Sequence, residues 1–359
     1  MKGALAMSLE EIRKRIDLMD DEIIRLLNER AKAAMEIGKI KRQSNSHVYA
    51  PAREKEIMEQ ICARNKGPLT NEALKSIYKE IISASRSLER PLTVTYLGPR
   101  ATFTHLAALQ KFGNSTTYLP VRTISDVFLE VRKGRADFGV VPIENSTEGS
   151  VSHTLDMFME SDLKIFSEIM LEVTENLMSK GQLKDIAKIY SHPQALGQCR
   201  RWLEANMPHV ELVATSSTAQ AAELAANDPT AAAIANELAA EVYHLDLLVR
   251  RIEDNPNNYT RFFVIGHSST EKSGHDKTSL MFSIKHKAGA LSEVLKIFAG
   301  YGINLTRIES RPSRQRAWEY VFFVDVEGHH EDEHLSRALA EVSANCIFLK
   351  ILGSYPSGE

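Results

Sequence analysis

Apolar positions alternate at spacings of four and three through Ile12, Ile16, Met19, Ile23, Leu26, Ala33, Ile37 and Ile40, with Arg30 falling on the same seam. That period is one face of an α-helix. Ser8 and Glu11 form a capping box just before it, and Gly38 is its one glycine or proline interruption. A helix from Ser8 to Arg42 is about 50 Å long. A small domain cannot cover such a seam alone, so the pattern predicts a partner chain. "YAPAREKEIMEQICARN" predicts a second helix opening near Pro51. "TNEALKSIYKEIISASRSLERP" predicts a third, with Thr70 as N-cap and Pro91 beyond its end.

From residue 92 the period changes. "LTVTYLGP" alternates as a strand, and "ATFTHLAALQKFG" is a helix closed by Gly113. "ADFGVVPIENSTEGSVSHTLDMF", "IAKIYSHPQALGQCRRWLEAN", "VELVATSSTAQAAELAAN" and "TAAAIANELAAEVYHL" each run from strand to helix. This alternation predicts an α/β domain with a mainly parallel sheet, or two. Ligands of such sheets sit at the carboxyl ends of strands, beside helix N-termini that attract anions. Thr102, Asn145, Ser191 and Ser216 occupy those positions. In "NNYTRFFVIG" a polar knot runs into a short buried strand ended by Gly266. From residue 277 the order is strand, helix, strand, strand, helix, strand: "KTSLMFSIKH", "GALSEVLKIFAGYG", "INLTRIESRP", "AWEYVFFVDVEGH", "EDEHLSRALAEVSAN" and "CIFLKILGSYP". That is an α+β, ferredoxin-like pattern.

Composition narrows the partners. The chain has 359 residues and a net charge of −3, so no global field calls for nucleic acid. Its three cysteines, Cys62, Cys199 and Cys346, are far apart and odd in number. They predict a reducing cytoplasm and no disulfide or zinc framework. "MKGALAMSLEEIRKR" lacks the apolar run of a signal peptide, and no later stretch is long enough to span a bilayer.

Arg30 is the informative flaw in the first helix. A guanidinium on a buried seam needs an anionic partner, either a carboxylate of a neighbouring helix or a ligand. Lys41 lies eleven residues on, on nearly the same face and about 16 Å away. The two cations can converge on one dianion. Arg13 is about 42 Å from Lys41 along the helix, so it serves the same site only from another chain.

"IRKRIDLMD", "LLNERAKAAMEIGKIK", "AREKEI" and "IISASRSLE" resemble the all-α chorismate mutase family, specifically the mutase module fused to prephenate dehydratase. The resemblance implies a helical dimer. Its site falls on Arg13, Arg30, Lys41, Arg53, Glu54, Ser85 and Glu89, with Arg13 crossing between subunits. Ala50 stands where some members carry Asp, and Glu89 where some carry Gln. The implied reaction is a pericyclic shift of chorismate to prephenate, which needs a dianion held compactly and charge stabilised on an ether oxygen. Arginines suit the carboxylates. Lys41 and Glu89 would donate to the ether oxygen, and a carboxyl does so only while it carries a proton.

"GPRATFTHLA", "VPIENSTEGSV", "SHPQALGQC" and "NPNNYTRFFVIG" resemble, in this order, the prephenate dehydratase family. Two subdomains like those of periplasmic binding proteins are implied. Thr260 falls on the family's critical threonine, and Asn145, Ser191 and Gln198 on substrate-holding positions. Arg261 either pairs with a substrate carboxylate or braces the turn. Ala101 stands where a glycine is common. "GALS" and "ESRP" resemble the phenylalanine-binding ACT module, which implies effector contacts at Gly289, Ala290, Leu291, Glu309, Ser310, Arg311 and Pro312; Ser292 replaces the usual valine.

The expected domains are 1–91, 92–270 and 277–359. The expected activity converts chorismate to prephenate and then, with loss of water and CO2, to phenylpyruvate, under feedback from phenylalanine. No cofactor or metal is expected, and the assembly is a homodimer or larger. Three other readings stay open. The helices serve dimerisation only, beside a dehydratase of prephenate or arogenate; the central domain is a solute receptor; or the ACT module only dimerises.

Overall fold

The computed structural model describes residues 8–43, 49, 51–312 and 320–358. Ala50 and the start of "AWEYVFFVDVEGH" lie outside the described residues. The chain divides into two compact units, residues 1–92 with 112–116, and residues 93–111 with 117–359.

The first unit is helical. α1 (Leu9–Gln43) opens on the capping box: Ser8 N donates to Glu11 Oε2 at 2.8 Å, and Glu11 N donates to Ser8 Oγ at 3.3 Å. α2 is Pro51–Arg64 and α3 is Asn71–Glu89, capped by Thr70, whose Oγ1 accepts from Ala73 N at 3.2 Å. The apolar seam of α1 is exposed in the single chain: Ile12 is 43%, Ile16 51% and Ile23 53% accessible. Burying such side chains is worth about 1.5–3 kcal/mol each, so this face gains by being covered. Gly38 has a packing reason. A Cβ built there would lie 3.0 Å from Glu89 Cα, so the missing side chain lets α3 approach α1 closely.

The second unit begins with β1 (Thr93–Leu97), α4 (Phe103–Phe112), β2 (Thr117–Val121), α5 (Ile124–Arg132), β3 (Phe138–Asn145), β4 (Gly149–Ser150), α6 (Ser152–Glu160) and β5 (Lys164–Glu172). The chain then crosses to a second sheet. There it forms β6 (Asn176–Ser179), β7 (Lys188–Ser191), α7 (Pro193–Gln198), α8 (Arg200–Asn206), β8 (Glu211–Ala214), α9 (Thr218–Ala225), β9 (Ala231–Ala235), α10 (Glu237–Tyr243) and β10 (Asp246–Val249). β11 (Tyr259–Gly266) returns to the first sheet. Strand orders are β2-β1-β3-β11-β5, with β4 on β3, and β10-β6-β9-β7-β8. The two sheets are mixed, not mainly parallel. β1 pairs parallel with β2 and β3, but β11 inserts antiparallel between β3 and β5. β6 likewise runs antiparallel to β9 and β10. The first strand after each crossing between sheets, β6 and then β11, is the one that reverses, which strand–helix alternation along the chain does not reveal.

β12 (Asp276–Ser283), α11 (Ala290–Gly300), β13 (Leu305–Pro312), β14 (Tyr320–Glu327), α12 (Glu333–Asn345) and β15 (Phe348–Pro356) complete the chain. The order β13-β14-β12-β15 is antiparallel throughout, as a ferredoxin-like domain requires. Its sheet shares a core with the first sheet, where Phe158, Ile165 and Phe263 meet Met281, Phe323 and Tyr355. Contact is closest at Gly353. A Cβ there would lie 2.1 Å from the backbone oxygen of Ile165, and backbone cannot swing aside as a side chain does. Gly353→Ala is expected to lower stability by about 1–3 kcal/mol through overpacking, read as a drop in the urea midpoint of this unit.

Candidate functional site

A cavity of about 520 Å³ opens between the two sheets of the second unit. Four helix starts reach its wall: Phe103 of α4, Val151 ahead of α6, His192 ahead of α7 and Thr218 of α9. Free amides at such ends favour anions. Arg122 adds an exposed cation to the wall.

Thr260 sits where β11 leaves its polar turn, half-buried in that wall. Its surroundings set the direction of its hydroxyl. Asn145, at the end of β3, accepts Thr147 N at 3.0 Å and Glu148 N at 3.1 Å on Oδ1. Its Nδ2 therefore faces the other way, donating to Thr260 Oγ1 at 2.8 Å and Asn258 Oδ1 at 2.8 Å. Asn258 Nδ2 in turn donates to Gln198 Oε1 at 3.1 Å. Thr260 Oγ is thus already an acceptor, and its one proton is available to a ligand. Asn258 escaped the sequence reading although it lies two residues from Thr260; side-chain amides in a turn read simply as turn formers.

The remaining expected residues are distributed as follows. Gln198 lines the cavity, as do Asn145 and Thr260. Ser191 is fully buried at the end of β7, donating to Ile234 O at 2.7 Å, and is not in the wall. Arg261 points away from the cavity, because adjacent strand residues face opposite ways. Its guanidinium donates to Glu168 Oε2 at 2.7 Å, Asp325 Oδ2 at 2.5 Å and Tyr355 Oη at 3.1 Å. Of its two readings, bracing is the one this geometry matches. Ala101 holds the left-handed conformation, φ 66°, that explains the glycine preference at this position. Two hydrogen bonds pin it: Ala101 N donates to His105 Nδ1 at 3.1 Å, and its carbonyl accepts from Asn236 Nδ2 at 2.9 Å. Burial, aided by Arg100, pushes His105 down to about 4, so it stays a neutral acceptor at pH 7. Glu175, which the sequence reading passed over, also lines the cavity and is 2% accessible.

In the helical unit Lys41 Nζ lies 3.3 Å from Glu89 Oε2, and Arg30 donates to Ser85 Oγ. Glu54 pairs with Arg86 at 2.7 Å, and Arg53 with Glu56. Arg13 is exposed near the start of α1.

A second cavity, of about 340 Å³, lies at the start of α11 and is lined by Gly289, Ala290, Leu291, Tyr320 and Phe322. Gly289, at φ 84°, turns the chain into the helix. Glu309, Ser310, Arg311 and Pro312 lie on the edge strand β13, outside this lining. Alternate residues of that strand reach the catalytic module. Glu309 Oε2 accepts from Ser150 Oγ at 3.1 Å, Arg311 Nη1 donates to Ser152 Oγ at 2.7 Å, and Arg307 pairs with Glu144 at 3.0 Å. Among the described residues no cluster of three His, Cys, Asp or Glu side chains is arranged to hold a metal, and no helix is long and apolar enough to cross a membrane.

A helical unit with paired cations, a two-sheet module with an anion-suited cavity and a ferredoxin-like domain define a multidomain enzyme of the mutase–dehydratase class with a regulatory domain. Family models match in the same order: chorismate mutase type II over residues 12–90, prephenate dehydratase over 94–270 and the ACT domain over 278–344. A bifunctional chorismate mutase/prephenate dehydratase of Aquifex aeolicus is 53% identical over 353 residues, covering 97% of this chain and 98% of that protein. One from Stutzerimonas stutzeri is 46% identical over 355 residues, covering 97% of each. The crystal structure of an Arthrobacter aurescens prephenate dehydratase in complex with L-Phe superposes with a TM-score of 0.69 at 37% identity, covering 74% of this chain and 90% of that one. The chain belongs to the family of bifunctional chorismate mutase/prephenate dehydratases, enzymes of phenylalanine biosynthesis. Its helical module is a mutase domain, and the reading of it as a dimerisation device alone is not favoured.

Asn145→Asp removes the donor to Thr260 Oγ1 while keeping the acceptor for the turn amides. The carboxylate accepts the Thr260 proton instead, so the hydroxyl no longer points to a ligand, and loss of one oriented donor costs about 10²–10³ in turnover. Phenylpyruvate formation from prephenate is expected to fall by that factor, with chorismate consumption unchanged.

Proposed function

We propose that Thr260 is the hydrogen-bond donor to the leaving hydroxyl of prephenate, that Asn145 serves the substrate by orienting that hydroxyl, and that Gln198 holds the substrate beside it. Decarboxylation and loss of the C4 hydroxyl aromatise the ring, so the thermodynamic drive is intrinsic. The barrier lies in departure of hydroxide, which needs a donor at that oxygen. The observation that carries this reading is the direction of the Asn145–Thr260 hydrogen bond, which leaves the threonine proton for a ligand. Arg122 and the helix N-termini around the cavity suit the substrate's two carboxylates. Ser191 supports the wall from behind, and Arg261 braces the strand.

In the mutase module Arg30, Arg53 and a partner chain's Arg13 bind the carboxylates of chorismate, with Glu54 and Ser85 orienting. Lys41 and Glu89 address the ether oxygen. Their proximity supports this, as does Arg30, which donates to a serine and has no carboxylate partner among the described residues. The exposed seam of α1 supports a dimer in which each site draws on two chains. Phenylalanine is the effector, bound at Gly289, Ala290 and Leu291 together with the strand carrying Glu309, Ser310, Arg311 and Pro312. The contacts of Glu309 with Ser150, itself in the cavity wall, give a route from effector to catalytic site.

Two experiments test this function. Thr260→Val is expected to abolish phenylpyruvate formation and leave chorismate consumption at the wild-type rate; loss of both in a folded protein contradicts the division of labour. Arg13→Ala and Lys41→Ala chains, each inactive as a mutase, are expected to regain activity when refolded together. One site of each heterodimer is then intact. Heterodimers without mutase activity rule out a shared site.

A further inference from the structure

Glu175 lies between β5 and β6, on one of the two irregular segments that join the sheets. The other joining segment runs beside it: Ile252 N donates to Glu175 O at 2.8 Å, and Glu175 N donates to Glu253 Oε2 at 2.9 Å. The backbone of Glu175 thus holds a second carboxylate close by, and the Glu175 carboxyl feels its charge. Glu253 has Arg251 at 3.4 Å; Glu175 has no cation paired with it among the described residues. Its Oε2 is buried and has no hydrogen-bond partner among the described residues, while the residue lines the dehydratase cavity. Burial, reinforced by Glu253, raises its pKa to about 8. Cys199 lies behind it, its thiol pushed up by burial and by Glu175, Glu253 and Asp254. Across the cavity the charged or titratable wall residues are Arg122, Glu148 and His192.

A buried polar atom without a partner costs about 1–3 kcal/mol, and here it belongs to a residue in the wall of a cavity read as the site of a dianion. An ionised Glu175 would repel that dianion. A protonated one presents an O–H that an anionic oxygen accepts.

We propose that Glu175 is a substrate-binding residue of the dehydratase that works as a neutral carboxylic acid, its carboxyl O–H donating to an anionic oxygen of the bound dianion, so that binding requires one proton on Glu175. This rests on the dehydratase reading of the cavity. Substrate and proton then stabilise each other: the bound dianion holds the proton more tightly, and the effect falls on KM while kcat is spared.

The test is KM and kcat for prephenate from pH 6.5 to 10 in the full-length wild type, Glu175→Gln and Glu175→Ala, with mutase rate as the check of folding. Wild-type KM is expected to stay level to about pH 8 and then rise about tenfold per unit, with kcat held. The glutamine amide donates at every pH, so Glu175→Gln is expected to keep KM near the neutral wild-type value and level throughout. Glu175→Ala is expected to raise KM about tenfold or more even at pH 7, as loss of a hydrogen bond to a charged group does. A wild-type KM that stays level to pH 10 overturns the proposal without recourse to any variant. So does a Glu175→Gln profile that rises in parallel with wild type, or a Glu175→Gln enzyme with unchanged KM and kcat reduced a hundredfold. Absence of phenylpyruvate from the wild type at every pH rejects the dehydratase reading itself and is thereby distinguished.

Discussion

The buried pairing of Arg261 with Glu168 and Asp325 is the interaction on which the catalytic unit depends. It joins β11 and β5 of the first sheet to β14 of the ferredoxin-like domain, and Lys277 and Tyr355 complete it. The side chains of all three principal partners are at most 10% accessible. Two anions and two cations balance there, so no charge is left buried alone; removing one partner of such a set costs about 3–5 kcal/mol. Since Thr260 precedes Arg261 on the same strand and faces the opposite way, what anchors the arginine also positions the threonine. The ACT domain is thereby part of the scaffold around the Thr260 cavity.

On the cavity side the design uses neutral groups. A chain of amides runs from Gln198 through Asn258 and Asn145 to Thr260, each donor direction settled by the turn amides that bind Asn145 Oδ1. Such a chain orients a hydroxyl without adding charge beside a dianion. Charge is supplied instead by helix N-termini and by Arg122 at the rim. Glu175 fits the same economy of charge if it keeps its proton.

The helical unit meets a different demand. A pericyclic rearrangement asks for a compact substrate and a stabilised oxygen, and the arginines, lysine and carboxyl proposed for it sit on helices, with no nucleophile required. Gly38 admits α3 to α1 closely enough for Glu89 to meet Lys41. The apolar seam of α1 stays exposed in the single chain.

By itself the sequence determined the three modules, the long first helix with its Ser8–Glu11 cap, the ferredoxin-like order and the residues of the Thr260 turn. Each of these is written in local periodicity, capping chemistry or contiguous motifs. Tertiary structure decided what depends on segments distant along the chain. The antiparallel insertion of β11 follows from its return after the whole second sheet. Arg261 became a brace because Asp325, 64 residues away, lies behind its strand. Asn258 became an orienting residue because Asn145, 113 residues away, meets it. Glu175 shows the difference most sharply. An acidic residue after a strand is ordinary in sequence, and only burial beside Glu253, at the edge of a cavity, gives its carboxyl a role, because the cost of ionisation is set by surroundings that no local pattern encodes.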